Sequence, residues 1–455
     1  MNVDFPSHHT VHETDVAIAG NWTVVALGPV DHGGVDGIRR ALRTTMSVGP
    51  AARLGLVPDS RSRRWQYDPE RLLRAVRQGS EITEDDYDRE MSALLDVHDP
   101  AEPISITVHG EHVLFCMNHG IGDGQMIINL SHTLADVDAR NGVVPKWATS
   151  ARTLRPLTVA AMRSLGTDPR RLLHLLRSRL GPAMRERRNE RTAGNADTVS
   201  IPASSPTQTA PAAHDSIGPD SIAMTSSVEV VADAATIGCT RELMRWRDEF
   251  RPGQSISILF FAALDAALRD EGMLIDDVAK VLFDVRRYLP ADRTTLANLS
   301  AGIDVDLPDT TDTVLLSRQW RRIIDCGQPV ANLMMVGLRS KLARLRSASL
   351  TETTPPDAPD TIRLALSDIG RHARLNDIDF IGEAKASYRV MVTPASHGHI
   401  TLTTARLRDS IRVAASFHST FVDADVVRRA LRAACSMPIS LLDASTAAPE
   451  ANPAA

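Results

Sequence analysis

Apolar positions along this chain recur in two rhythms, one suited to strands and one to helices. Two short apolar runs, Ile104–His109 and His112–Met117, flank Gly110-Glu111. Both are too short for a helix, and the turn between them predicts a hairpin. Helical spacing marks Val35–Ser47, Pro69–Gln78, Asp85–Asp96 and Gln125–Arg140. In the last of these Met126, Ile127, Leu130 and Leu134 form one apolar face. A further segment, Pro169–Arg191, reads as an arginine-dense helix around Leu172, Leu173, Leu175, Leu176 and Leu180.

The second half repeats the mixture. Strands are expected at Met224–Val231, Lys280–Arg286, Ile362–Leu366, Tyr388–Val392, Ile400–Ala405 and Ile411–Phe417. Helices are expected at Ile237–Phe250, Ile256–Arg269, Thr313–Asp325, Ala331–Arg346 and Asp423–Ala434. A stretch rich in Ser, Thr, Pro and Ala divides the halves, and Ser349–Asp360 reads as a second polar loop. The expected organisation is an N-terminal lobe over 1–188, a flexible linker over 189–221, a C-terminal lobe over 222–444 and a disordered tail over 445–455. The fold class is α/β, each half combining a mixed sheet with flanking helices.

A chain of 455 residues can bury two large cores. Its apolar content of 43%, charged content of 24% and net charge of -5 describe a globular protein without general affinity for nucleic acid. Of 51 basic residues only Lys146, Lys280, Lys341 and Lys385 are lysines, a bias typical of a GC-rich bacterial genome. Cys116, Cys239, Cys326 and Cys435 are far apart in apolar or helical contexts, so reduced thiols in the cytoplasm are expected. The opening Met1–Pro6 lacks a basic region with an apolar core behind it, and no run approaches the ~18 apolar residues of a span. Neither a signal peptide nor a membrane span is expected.

The chemistry concentrates at Asn118-His119-Gly120-Ile121-Gly122-Asp123-Gly124, directly after the second hairpin strand. Three glycines at alternate positions stop a regular element, so His119 should sit on a tight loop at a strand end. There its imidazole can take a proton near neutral pH; a lone strand-end histidine can equally be structural. His109 and His112 lie on the adjoining strands, but no carboxylate or cysteine ligand set accompanies them, so no metal is expected.

His119-x-x-x-Asp123-Gly124 resembles the HxxxDG motif of the chloramphenicol-acetyltransferase-like superfamily. That group includes condensation domains, polyketide-associated acyltransferases, wax ester synthases and plant BAHD acyltransferases. Trp22–Leu27, with the helix after it and Pro50–Leu54, is similar to the family's opening. Asp284-Val285-Arg286 running on to Asn298–Gly302 is similar to its arginine strand and following turn. Leu366–Gly370 resembles a Ser-Asn-x-Gly stretch, and Ser410–Ala434 the closing strand and helix. Asn118 replaces the first His of the HHxxxDG form, Ala297 stands where a Gly often precedes the Asn, and Asp368 replaces the Asn of the serine motif.

The resemblance implies two similar α/β lobes facing each other, with a tunnel between them and His119 near its middle. It implies acyl transfer from a coenzyme A or phosphopantetheinyl carrier thioester to an alcohol or amine, with His119 as general base, no acyl-enzyme and no bound cofactor. Asp123 can orient the imidazole or hold the loop in shape through an arginine; the family favours the second, with Arg286 as partner. Gly124 allows close backbone approach to substrate or is a plain turn glycine. Ser367 is a candidate donor to the oxyanion or pantetheine arm, or a strand serine bonded to backbone. Asn298 and Ser300 line the channel or cap the turn, and Asn118 and Arg286 complete the candidate substrate contacts.

Partners implied are a small-molecule or lipid acceptor and an acyl or peptidyl carrier protein. The basic segment 169–191 can dock an acidic carrier, coenzyme A phosphates or an anionic inner-membrane surface; otherwise it is a helix with a solvated basic face. Alternatives are a freestanding condensation enzyme, and a degenerate member that binds a carrier or acyl chain without catalysis.

Overall fold

The computed structural model describes residues 5–150, 153, 155–166, 171, 228–306, 312–345, 361–382 and 385–446. The linker at 189–221, nearly all of the basic segment 169–191 and the polar loop Ser349–Asp360 lie outside the described residues, as does the tail beyond 446.

Three sheets carry the described chain. A small one joins β1 (His8–Thr10), β3 (Leu56–Val57) and β4 (Arg64–Tyr67) in the order β1-β4-β3. The sheet that bears the motif runs β12-β2-β7-β6-β5, from β2 (Trp22–Gly28), β5 (Val76–Gln78), β6 (Ile104–His109), β7 (His112–Asn118) and β12 (Ser387–Val392). A six-stranded sheet runs β10-β9-β11-β13-β14-β8. Its members are β8 (Val228–Ala234), β9 (Val278–Asp284), β10 (Ser300–Asp306), β11 (Arg363–Arg371), β13 (His399–Leu407) and β14 (Ser410–His418). The architecture is mixed α/β and two-lobed, and β12 from the second half completes the first half's sheet by pairing antiparallel with β2.

The unbroken apolar run of β7 follows from burial on both faces. Val113, Phe115 and Met117 enter one core with Ile104, Ile106 and Val108 of β6 and the apolar face of helix Gly124–Ala135. Leu114 and Cys116 face the other way. There they pack with Tyr87, Met91 and Leu95 of helix Tyr87–Asp96, and with Val230 of β8 and Ala414 of β14. The motif strand is thus wedged between its own lobe's helices and the second sheet. The four cysteines are free thiols, with Cys116 and Cys435 buried.

Several expected boundaries move for identifiable reasons. The expected helix Pro69–Gln78 stops at Arg74, because Val76–Gln78 pairs in parallel with Ile106–Val108 as β5. The expected helix Gln125–Arg140 breaks at Asp136, whose side chain accepts the Asp138 N–H and starts a separate turn, Val137–Arg140. The expected strand Lys280–Arg286 ends at Asp284. The Asp284 carboxylate accepts the Arg286 N–H at 2.8 Å, which caps a 3-10 turn over Val285–Tyr288 and takes Arg286 off the ladder. Ser300–Asp306, whose first three residues fall in the stretch likened to a turn, is edge strand β10. Helix Pro438–Thr446 is an element the sequence pattern does not reveal.

Candidate functional site

At the end of β7 the chain turns through a 3-10 segment, His119–Ile121, passes Gly122 and enters helix Gly124–Ala135 with Asp123 as its N-cap. Both ends of the Asn118 side-chain amide are engaged in making this turn. Its amide donates to the Ala19 carbonyl at 2.6 Å, and its side-chain oxygen accepts the Gly120 N–H at 2.9 Å. The His119 N–H donates to the Asn21 carbonyl at 2.7 Å. Gly122 is the glycine that the turn demands. A Cβ there would lie 2.3 Å from Met126 Cβ, whereas one at Gly124 would meet only Ile369, at 3.8 Å.

Asp123 and Arg286 meet across the two halves. Arg286 Nη1 donates to Asp123 Oδ2 at 2.8 Å and Nη2 to Oδ1 at 2.9 Å, a bidentate pair. Asp123 also accepts from Leu299 N (3.0 Å), Gln125 N (3.3 Å) and Ser300 Oγ (3.5 Å). Arg286 also donates to the carbonyls of Thr295 and Ala297 and, from Nη1, to Asp284 Oδ1 at 3.3 Å. Burial works to raise the Asp123 pKa, but the Arg286 guanidinium and the donated hydrogen bonds outweigh it, so the carboxyl is held below its usual range. With its oxygens committed in this way, Asp123 anchors the loop.

The His119 ring is half-buried, with Nδ1 fully enclosed. Burial lowers its pKa below the usual imidazole value, against raising influences from Asp123, its own backbone and the Asn298 carboxamide. The ring is therefore neutral at neutral pH, the form a base requires. Asn298 is buried and reaches the loop from the second half, donating from Nδ2 to the Gly120 carbonyl at 3.1 Å. Ser300 joins through Asp123. Ser367 lies half-buried on β11, opposite Thr403 of β13. Its neighbour Asp368 is tied to Ser257 and to Thr404 Oγ1 (2.8 Å), so that carboxylate serves a separate cluster.

Two site residues carry no role from sequence reasoning, Asp15 and Arg53. Arg53 donates to the carbonyls of Gly120 and Ile121 and to Asp15 Oδ2, from a backbone held at φ 68°. Asp15 is wholly buried and accepts from both amides of Asn298. The pattern Pro50–Leu54 contains Arg53, yet a lone arginine beside a 3-10 turn has no signature that separates it from a surface residue.

His109 and His112 are brought to other partners. His109 Nδ1 bonds the Ser80 carbonyl at 2.7 Å and His112 Nδ1 the Tyr87 hydroxyl at 2.6 Å. Among the described residues no group of three or more His, Cys, Asp or Glu is placed to hold a metal ion. No helix among them is long and apolar enough to cross a membrane. Two small cavities among the described residues do not reach His119. The larger, about 250 Å³, lies between Ala135–Asp138 and Asp377–Asp379.

No protein-family model and no curated relative matches the chain. Solved structures do. The trichothecene 15-O-acetyltransferase TRI3 from Fusarium sporotrichioides superposes with a TM-score of 0.54 at 11% identity, over 96% of this chain and 95% of that one. The condensation domain of the monacolin K polyketide synthase MokA gives 0.50 at 10% identity, over 98% and 99%. The nonribosomal peptide synthetase FmoA3 gives 0.50 at 14% identity, over 97% of this chain and 45% of that one. The chain has the two-lobed, mixed α/β chloramphenicol-acetyltransferase-like fold of these acetyltransferase and condensation proteins.

Proposed function

We propose that this protein is an acyltransferase that moves an acyl group from a coenzyme A or carrier-protein thioester to an alcohol or amine. The observation that carries the reading is a neutral histidine on a strand-end loop, anchored from the opposite half by the Asp123–Arg286 pair. Nδ1 faces inward, so Nε2 is the atom that acts on an acceptor. It takes the proton as the acceptor oxygen or nitrogen attacks the thioester carbonyl. The tetrahedral intermediate then expels the thiolate, which recovers that proton from the imidazolium. Both substrates are present together and no acyl-enzyme forms. Base assistance of this kind contributes on the order of 10²–10⁴-fold, and juxtaposition of two substrates contributes more.

In this scheme Ser367 supplies a hydroxyl to the oxyanion or the pantetheine arm, and Gly124 lets substrate approach the backbone. Ser300, Asn118 and Arg286 shape the passage by holding its walls. The donor is a co-substrate and the protein carries no cofactor of its own. The acceptor is a small-molecule or lipid alcohol or amine, and a carrier protein is a partner wherever the donor is carrier-bound.

The test is thiol release from a panel of acyl thioesters with alcohol and amine acceptors, with His119→Ala as control. Acceptor-dependent release that drops at least a hundredfold in the variant supports the proposal. Release unchanged in His119→Ala overturns the base assignment. Thioester binding without release in the wild type favours a non-catalytic carrier- or acyl-binding protein.

A further inference from the structure

We infer that Asn298, held in place by Asp15, accepts the Nδ1 proton of His119 on its side-chain oxygen, fixing the ring with Nε2 as the free base. His119 Nδ1 and Asn298 Oδ1 are both buried, and each lacks any other hydrogen-bond partner. Two such atoms left in one buried site are costly unless they satisfy each other.

The direction of the Asn298 amide is set by its other contacts. Nδ2 donates to Asp15 Oδ1 at 2.9 Å and to the Gly120 carbonyl at 3.1 Å. A flipped amide would turn its oxygen onto a carboxylate and a carbonyl, both of which only accept. The Asn298 N–H adds a second bond to Asp15 Oδ1, at 2.8 Å. Asp15 is fixed in turn, since Oδ2 accepts from His12 N (2.9 Å) and Arg53 Nη1 (3.1 Å).

The guanidinium of Arg53 offsets the buried charge of Asp15 and grips the carbonyls of Gly120 and Ile121, so one clamp sets both the loop and the amide. The Asn298 carboxamide also favours the protonated ring, as an acceptor near Nδ1 would. The ring's own carbonyl lies close as well, and it also accepts the Gly122 N–H at 3.2 Å. A neutral amide at Nδ1 orients the ring without holding a proton on Nε2, as a carboxylate there would tend to do.

This assignment makes Asp15 and Asn298 positioning residues, and it rests on the reading of His119 as the base. It is tested without turnover, by ¹⁵N NMR of the histidine rings of the full chain at neutral pH. The His119 signals are assigned by their loss in His119→Gln. The expected result is Nδ1 protonated and Nε2 unprotonated in the wild type, shifting to a tautomer mixture in Asn298→Ala and in Asp15→Asn. A wild-type ring protonated on Nε2 overturns the inference, as does a tautomer unchanged in both variants. Should neither variant fold, the wild-type crystal structure decides. A His119 Nδ1 to Asn298 Oδ1 distance within about 3.2 Å upholds the inference, and one beyond about 3.5 Å sinks it. Since no acyl transfer is measured, this outcome stands apart from that of the thioester panel.

Discussion

Arg286 and Asp123 lie 163 positions apart and meet through two parallel hydrogen bonds of 2.8 and 2.9 Å. The pair joins the loop that follows β7 to the turn that follows β9, so it fixes how the two halves stand at His119. Breaking it from one side deprives a buried charge of its main counterpart, Arg286 keeping only Asp284 at 3.3 Å, and such a loss typically costs about 3–5 kcal/mol. Asp123→Asn should therefore lower the unfolding free energy by an amount in that range, read as a lower urea midpoint at unchanged slope, and should remove most transfer activity. Arg286→Lys should behave similarly, because a point charge cannot span both oxygens and still reach the Thr295 and Ala297 carbonyls. An unchanged midpoint in both variants would show that the loop is held by other contacts.

The glycines of the motif should separate by geometry. Gly122→Ala would place a Cβ 2.3 Å from Met126 Cβ, on a helix whose Met126 is fully buried. Loop and helix must then part, at a cost of about 1–3 kcal/mol typical of overpacking. Gly124→Ala meets only Ile369, at ordinary contact distance, and alanine suits a first helical turn. Thermal melting should show a clear loss for the first and little change for the second. If Gly124→Ala folds normally yet loses activity, the absent side chain at Gly124 serves substrate approach.

What the sequence shows of this site is its first half. A buried-on-both-faces strand followed by alternate glycines is legible because period and composition agree, and the β6–β7 hairpin follows from its turn. The arginine partner is legible only through family resemblance, since nothing local to Arg286 points to a carboxylate across the molecule. Its placement on a 3-10 turn depends on Asp284 capping its own neighbour, a short-range bond that apolar periodicity cannot reveal. Asp15 and Arg53 escape for the same reason: their roles are defined by carbonyls and amides that only the folded chain brings near. β5 and β10, short or at a sheet edge, are set by pairing with β6 and β9 more than by their own residues.

Asn118 stands where the longer form of the motif it resembles has its first histidine, and its two side-chain bonds close the loop against Ala19 and Gly120. Asn118→Ala leaves a buried carbonyl and a buried N–H unmet, at about 1–3 kcal/mol each before water or relaxation offsets it. The expected outcome is a protein that folds with a lowered melting temperature, and a kcat that falls more than KM rises, because the base loses its seat while the substrate contacts elsewhere persist. A rise in KM alone would instead place Asn118 against substrate.

The pH dependence tests the base most directly. Burial lowers the pKa of His119 below 6.5, so the active neutral ring persists to lower pH than a free imidazole would. Plotted against pH, kcat/KM should be flat through neutrality and fall on the acid side, with its midpoint below 6.5. Stability follows the same sign. The unfolded histidine binds its proton first as pH falls, so this group contributes destabilisation that begins below 6.5 and grows toward the folded pKa. Asp123 is shifted down as well, so its contribution is complete above 3.8 and is lost as pH falls through its own lower value. The two effects are separable, because His119→Gln should abolish the first component of the stability–pH curve and leave the second. An acid limb centred above 6.5 would mean that the titrating base is a different group.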